Sequence, residues 1–200
     1  KQVDGTILAS SRLSQERLAH YIEKFRFTVL INRTLDSIDE TTSATINIDD
    51  AMGAQMVIEY FSGQGVEQIA CLAGPEESMS GKRRLSGYHR GLEGCNIPFR
   101  EEFVLHCHPD INGGYQAATV LLANNRNISA FFAYNDLVAI GALQACDELG
   151  LSVPEDVAVI GVDDIPLATL VRPKLSTLRS SKRELGQLAM ETLLALIQGD

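Results

Sequence analysis

Short apolar runs alternate with longer amphipathic stretches along the whole of this chain, and that alternation restricts the fold more than any other feature. The runs at 3–9, 27–31, 68–73, 103–106, 130–134 and 157–162 read as strands. Their cores are continuously apolar, the pattern of strands covered on both faces in a parallel sheet. Helical spacing fills the gaps. Over 14–25, Leu18, Ile22 and Phe25 recur behind a Ser14 N-cap, with Arg17 in place of the capping-box acid. Further helical patterns cover 51–61, 82–92, 115–124, 136–149 and 182–197. Asp136 reads as an N-cap and Gly150 as a C′ stop, with Pro154 shortly beyond. Strands alternating with helices build βαβ units by right-handed crossovers, so the fold class is α/β with parallel sheets. No repeat, low-complexity segment or Pro/Gly/Ser linker marks a boundary, so any two lobes must be joined by short, unremarkable segments.

Composition narrows the classes further. A chain of 200 residues with 45% hydrophobic and 22% charged residues matches a globular protein of one large domain or two small lobes. Its 26 acidic and 17 basic residues give a formal charge of −9, which argues against a nucleic-acid footprint on this chain. No run of about 18 apolar residues is present to span a membrane. The start lacks a signal-peptide core and an initiator Met, and enters a strand almost at once, which points to a fragment of a longer chain. Cys71, Cys95, Cys107 and Cys146 form no CxxC pair and read as free thiols in a reducing compartment, hence the cytoplasm.

In open parallel sheets, ligands sit beyond the carboxyl ends of the strands, so the residues after each run carry the chemistry. The GPEESMSGKR stretch at 74–83 has six residues between its glycines and Arg83 after Lys82, which fails the phosphate-loop pattern; it reads as a loop leading into a helix that carries Arg84. His106 and His108 share one face of a strand without further metal ligands at suitable spacing, so a rim position is favoured and no metal is expected. Asp49 and Asp50 read as a helix N-cap pair. Asp163 and Asp164 follow a buried strand, either as a turn-forming pair before Pro166 or as ligand-binding carboxylates. There is no GxSxG elbow, no GxGxxG after a strand and no histidine placed as a base beside a Ser or Cys, so neither an enzyme nor a cofactor is expected. What remains is Ser10, Asn32, Ser80, Arg84, Asn135 and Asp163: donors and acceptors without a nucleophile–base pair, suited to a hydroxyl-rich ligand such as a sugar or nucleoside.

Longer motifs carry a resemblance. The runs AYNDLVAIGAL at 133–143, ELGL at 148–151 and VPEDVAVIGVDDIP at 153–166 resemble the LacI/GalR family of bacterial transcriptional regulators. VDGTIL at 3–8, LAGP at 72–75, RLSGY at 84–88 and PKLSTL at 173–178 add to the match, in the family's order across essentially the whole chain. The resemblance implies a periplasmic-binding-protein-like (type I) effector core: two doubly wound parallel-sheet lobes with a ligand cleft between them. It places 1–48 and 179–200 in the N-terminal lobe and 49–178 in the C-terminal lobe, with the N-terminal lobe incomplete.

Carried over by position, Arg84 matches the arginine that grips effector oxygens, with Ser80 four residues before it. Asp163 matches the carboxylate that accepts from effector hydroxyls or ring nitrogens, Asn135 a strand-end contact, and Asn32 its counterpart in the N-terminal lobe. Ser180 falls at the hinge. His108-Pro109-Asp110 stands where the family often stacks an aromatic ring on the ligand. The resemblance further implies a sugar-like effector, a homodimer through the C-terminal lobe, and operator DNA bound only through a headpiece absent from this chain. The dimer helix would be 137–148, with Ala142, Ala145 and Cys146 along it, unless those residues pack on their own sheet. The alternative is a periplasmic sugar-binding protein of a transport system, and the unpaired cysteines favour the regulator.

Overall fold

The computed structural model describes residues 3–9, 13–35 and 39–199. In chain order they form β1 (Thr6–Leu8), α1 (Gln15–Ile22), β2 (Thr28–Ile31), β3 (Ser43–Ile46), α2 (Asp50–Gly63), β4 (Ile69–Ala73), α3 (Met79–Gly94) and β5 (Val104–His106). There follow α4 (Ile111–Asn124), β6 (Ala130–Ala133), α5 (Asp136–Glu148), β7 (Ala158–Val162), β8 (Ser176–Leu178) and α6 (Lys182–Gln198). Two compact units result: Lys1–Ile48 with Ser181–Asp200, and Asp49–Ser180.

The smaller unit holds a parallel sheet in the order β1-β2-β3. Ala189 and Leu193 of α6 pack on Val29 at its centre, with Ile7 and Ile31 alongside. Ser14 caps α1 as expected, its hydroxyl accepting from the Arg17 N–H at 3.3 Å.

In the larger unit, five parallel strands run in the order β5-β4-β6-β7-β8. The continuous apolar runs do what they predict, filling both faces. Along β4, Ile69, Cys71 and Ala73 point to the face carrying α2 and α3, whereas Ala70 and Leu72 point to the face carrying α4 and α5. Phe132 and Phe131 of β6 divide the same way. Helix α5 ends in a Schellman motif: Gly150 at φ 69° donates to the Asp147 carbonyl and Leu151 to that of Cys146. Ala142, Ala145 and Cys146 are all in the core under α5, so packing on the parent sheet accounts for these three small side chains.

Three details differ from the sequence reading. Strands β3 (SATI) and β8 (STL) were not anticipated, because both are edge strands whose few Ser and Thr residues need only one apolar face. The cap of α5 is Asn135, in extended backbone and accepting from the Val138 N–H at 2.9 Å; Asp136 is the first helical residue and turns inward. Two helices start earlier than their periodicity implies: α3 by three residues, at Met79 behind a Ser78 cap, and α4 by four, at Ile111 behind an Asp110 cap.

Helices α4 and α5 cross so closely that a Cβ at Gly141 would lie 2.0 Å from the Ile111 carbonyl oxygen and 2.5 Å from the Tyr115 nitrogen. Backbone cannot yield there as a flexible side chain could. Gly141→Val should lower stability by about 2 kcal/mol or more in urea unfolding, and an unchanged midpoint would contradict this crossing.

Candidate ligand-binding site

Strand order reverses in the larger sheet between β4 and β6: the chain leaves β4 toward β5, then returns past it to β6 and β7. At such a switch point the loops leave in opposite directions and open a crevice at the carboxyl ends. Here the β4 loop delivers Gly74 and Ser78, and the β6 loop delivers Tyr134 and Asn135. Gly74 has no side chain because the Tyr134 ring lies against it; a Cβ there would sit 2.3 Å from the ring. The Tyr134 hydroxyl and Ser78 Oγ are 3.0 Å apart, and Ser78 Oγ also accepts from the Gly81 N–H at 3.1 Å, capping α3.

One turn into α3, Arg84 lies along this crevice. Its Nε donates to Asp50 Oδ1 at 2.9 Å, its Nη1 donates to the Tyr134 carbonyl, and its guanidinium carbon is 5.2 Å from the centre of the Tyr134 ring. Its Nη2 lies 3.8 Å from Asp163 Oδ1, across from the end of β7. Ser80, in the first turn of α3, places its hydroxyl 3.3 Å from Ser78 Oγ. Arg84, Asp163 and Ser80 thus gather around the carboxyl ends of β4, β6 and β7. The sequence pairs Asp50 with Asp49 as a helix cap, and the structure separates their roles. Asp49 does the capping, accepting from the Met52 N–H at 2.9 Å, while buried Asp50 ion-pairs with Arg84 and, at 3.2 Å, with Arg83.

Asp163 and its neighbour are held in left-handed backbone, at φ 115° and 51°. Non-glycine residues there cost about 1–3 kcal/mol each and persist only where surroundings fix them. The fixing group is Asp136, which is fully buried. Its Oδ2 accepts from the Ile165 N–H at 2.8 Å and its Oδ1 from the Thr177 hydroxyl at 2.5 Å. Thr177 Oγ1 in turn accepts from the Asp164 N–H at 3.2 Å. The Asp163 N–H donates to the Leu178 carbonyl at 3.0 Å, and Asp164 Oδ2 accepts from Arg179 Nε at 2.6 Å. The loop after β7 is therefore tied to α5 and β8 on both sides of the half-buried Asp163 carboxylate.

Other expected site residues fall differently. Asn135 commits its Oδ1 to the α5 cap and its Nδ2 to the Pro109 carbonyl at 3.4 Å. Ser180 lies beyond β8 in the larger unit. Asn32 belongs to the smaller unit, at φ 56°, where its Oδ1 accepts from the Ile48 N–H at 2.9 Å and closes the end of β2 on the chain after β3. Ser10 lies outside the described residues. His106 Nδ1 is 2.6 Å from the Gly74 carbonyl, and His108 pairs with Asp110. Asp110 caps α4 and is held below the ordinary carboxylate range, first by the Gly113 N–H and then by His108. Among the described residues no group of three or more His, Cys, Asp or Glu could hold a metal.

The four cysteines are free. Burial pushes the Cys71 thiol well up, and pushes Cys107 and Cys146 to about 11. Those three are protonated at neutral pH and are not nucleophiles. The site offers hydrogen-bond donors and acceptors, not reactive groups.

Residues 58–200 match the periplasmic binding protein-like domain family. The chain belongs to that family. Within it, the relatives are LacI-family regulators, as the sequence motifs implied. The probable HTH-type transcriptional repressor ExuR of Bacillus subtilis (strain 168) is 36% identical over 195 residues, which cover 97% of this chain and 58% of the repressor. A LacI-family regulatory protein from Chloroflexus aggregans superposes with a TM-score of 0.89 at 32% identity, over 98% of this chain and 70% of that one. A LacI-family regulator from Enterococcus faecium with bound ribose gives a TM-score of 0.84 at 30% identity, over 98% and 72%. The chain thus spans a little over half the length of its repressor relative.

In this periplasmic-binding-protein-like domain, Thr177 is the joint between Asp136 and the Asp163 loop. Thr177→Val keeps the shape but leaves the Asp136 carboxylate and the Asp164 N–H short of a partner, at a cost of about 1–3 kcal/mol. Urea unfolding should show that loss; equal stability would mean the network does not hold the loop.

Proposed function

We propose that this chain is the effector-sensing core of a DNA-binding transcriptional regulator, and that its effector is a small hydroxyl-rich molecule, a sugar or sugar derivative, held by Arg84, Asp163 and Ser80. The carrying observation is the 3.8 Å juxtaposition of Arg84 and Asp163 at the switch point of the larger sheet. A guanidinium offers several donors in one plane and a carboxylate accepts from hydroxyls; together they suit a polyol, which has both. Ribose in the Enterococcus faecium relative supports the same class. The smaller unit corresponds to the N-terminal lobe of the family and the larger to the C-terminal lobe.

The relatives' names favour a repressor over a transport component, and four free thiols fit the reducing cytoplasm. Operator binding belongs to a headpiece outside this acidic chain. Effector and operator are then linked: a ligand that prefers one arrangement of the core shifts operator affinity, and the operator shifts effector affinity by the same factor. No residue of the chain needs to change chemically.

A second copy would dock on the larger unit. At the amino ends of β7 and β8, an apolar groove of about 340 Å³ is lined by Tyr60, Val153, Pro154 and Pro173. Tyr60 on this groove and, elsewhere on the unit, Leu170 are 60% and 70% exposed, apolar surface that a second copy would cover. Light scattering should report a dimer for the native chain and a monomer for the double variant Tyr60→Asp, Leu170→Asp; a native monomer would remove this part of the proposal.

Any sugar that raises the melting temperature in a thermal-shift panel identifies the effector class. Asp163→Ala should then weaken that sugar by about tenfold or more in calorimetry, the loss expected for a hydrogen bond to a charged group, with the fold retained by circular dichroism. Unchanged affinity would reject the assigned site.

A further inference from the structure

Arg84 already has a carboxylate on either side. Buried Asp50 takes the Nε of Arg84 at 2.9 Å and of Arg83 at 3.2 Å. Asp163 faces Arg84 at 3.8 Å, and Asp164 holds Arg179 at 2.6 Å. Three carboxylates therefore oppose three guanidiniums. Asp50 is the decisive member because it is only 4% exposed, so its charge acts on Arg84 with little screening by water. It also sits in the first turn of α2, where the helix amino end stabilises it as an anion.

An anionic group arriving at Arg84 meets a cation that has its counter-ion, with a second carboxylate within 4 Å of the same guanidinium. A neutral hydroxyl meets no such penalty: it accepts from the guanidinium and donates to Asp163. The amino end of α3 opposes this, and Ser78 Oγ already occupies the Gly81 N–H there. Lys82, on the same helix, is exposed.

We propose that Asp50 determines specificity: by neutralising Arg84 it makes this site select neutral polyhydroxy ligands and reject their uronate and phosphate forms. The proposal rests on the placement of the effector at Arg84 and narrows its class. Asp50 touches Arg84 and not the ligand, so it is a positioning and charge-setting residue.

The test is calorimetry of the native chain and of Asp50→Asn with matched sets: glucose, glucuronate and glucose 6-phosphate; galactose and galacturonate; ribose and ribose 5-phosphate. In the set that binds, the native chain should prefer the neutral member by about tenfold or more, a fraction of the interaction between unit charges a few ångströms apart at a protein surface. Asp50→Asn should shrink that ratio about tenfold or reverse it. Native binding of the anionic member as tight as the neutral one, or an unchanged ratio in folded Asp50→Asn, overturns the proposal while leaving the effector site in place. If the variant does not fold, the native chain decides alone: equal binding of the neutral and anionic members overturns the proposal, and a preference of about tenfold for the neutral member supports it. If no set binds in a manner lost on Arg84→Ala, the effector site itself is wrong and the proposal falls with it.

Discussion

A single buried carboxylate holds the functional end of the larger unit together. Asp136 has no exposed surface, and its two oxygens serve the Ile165 N–H and the Thr177 hydroxyl. Without it, the loop after β7 would lose the contacts that keep Asp163 and Asp164 in left-handed backbone. The close packing of Gly161 depends on the same placement, since a Cβ there would sit 2.4 Å from Asp136 Oδ1. A charged group this deep is costly unless its hydrogen bonds are made, and here removing either partner would leave charge or polar backbone exposed to the core. The carboxylate that faces Arg84 is thus positioned by one that does not.

A second buried carboxylate governs the other side of the site. Asp50 fixes the Nε edge of Arg84, the Tyr134 carbonyl takes Nη1, and Nη2 is left facing Asp163. The two acids act in different ways. Asp136 shapes the backbone, whereas Asp50 sets the charge and aim of the arginine. Both are at helix amino ends, where the helix dipole lowers the cost of burying them. The crevice they frame opens at the reversal of strand order between β4 and β6, so topology and electrostatics meet at one place.

Much of this was legible in the sequence. Continuous apolar runs mark the strands that are covered on both faces, and helical spacing marks the six helices among the described residues. The rule that chemistry follows the strand ends singles out Arg84 and Asp163, and the structure brings these two side chains to 3.8 Å. The shortfalls have physical reasons. Edge strands β3 and β8 are short and built largely of Ser and Thr, so they lack the apolar run that betrays a central strand. Asn135 and Asp136 can each cap a helix, and only backbone direction decides that Asn135 does. Asp50, Tyr134 and Thr177 owe their importance to partners 34, 50 and 41 residues away, and spacing along the chain carries no signal for such pairs.

The central claim is that a neutral hydroxyl-rich ligand binds at the carboxyl ends of β4, β6 and β7. Amide chemical shifts of the isotopically labelled chain, followed during titration with a neutral sugar that raises its melting temperature, test it directly. The perturbed amides should be those of Ser80, Tyr134, Asp163 and Asp164 at the carboxyl end of the sheet. Shifts confined to Val153, Lys174 and Ser176 at the opposite end would contradict it.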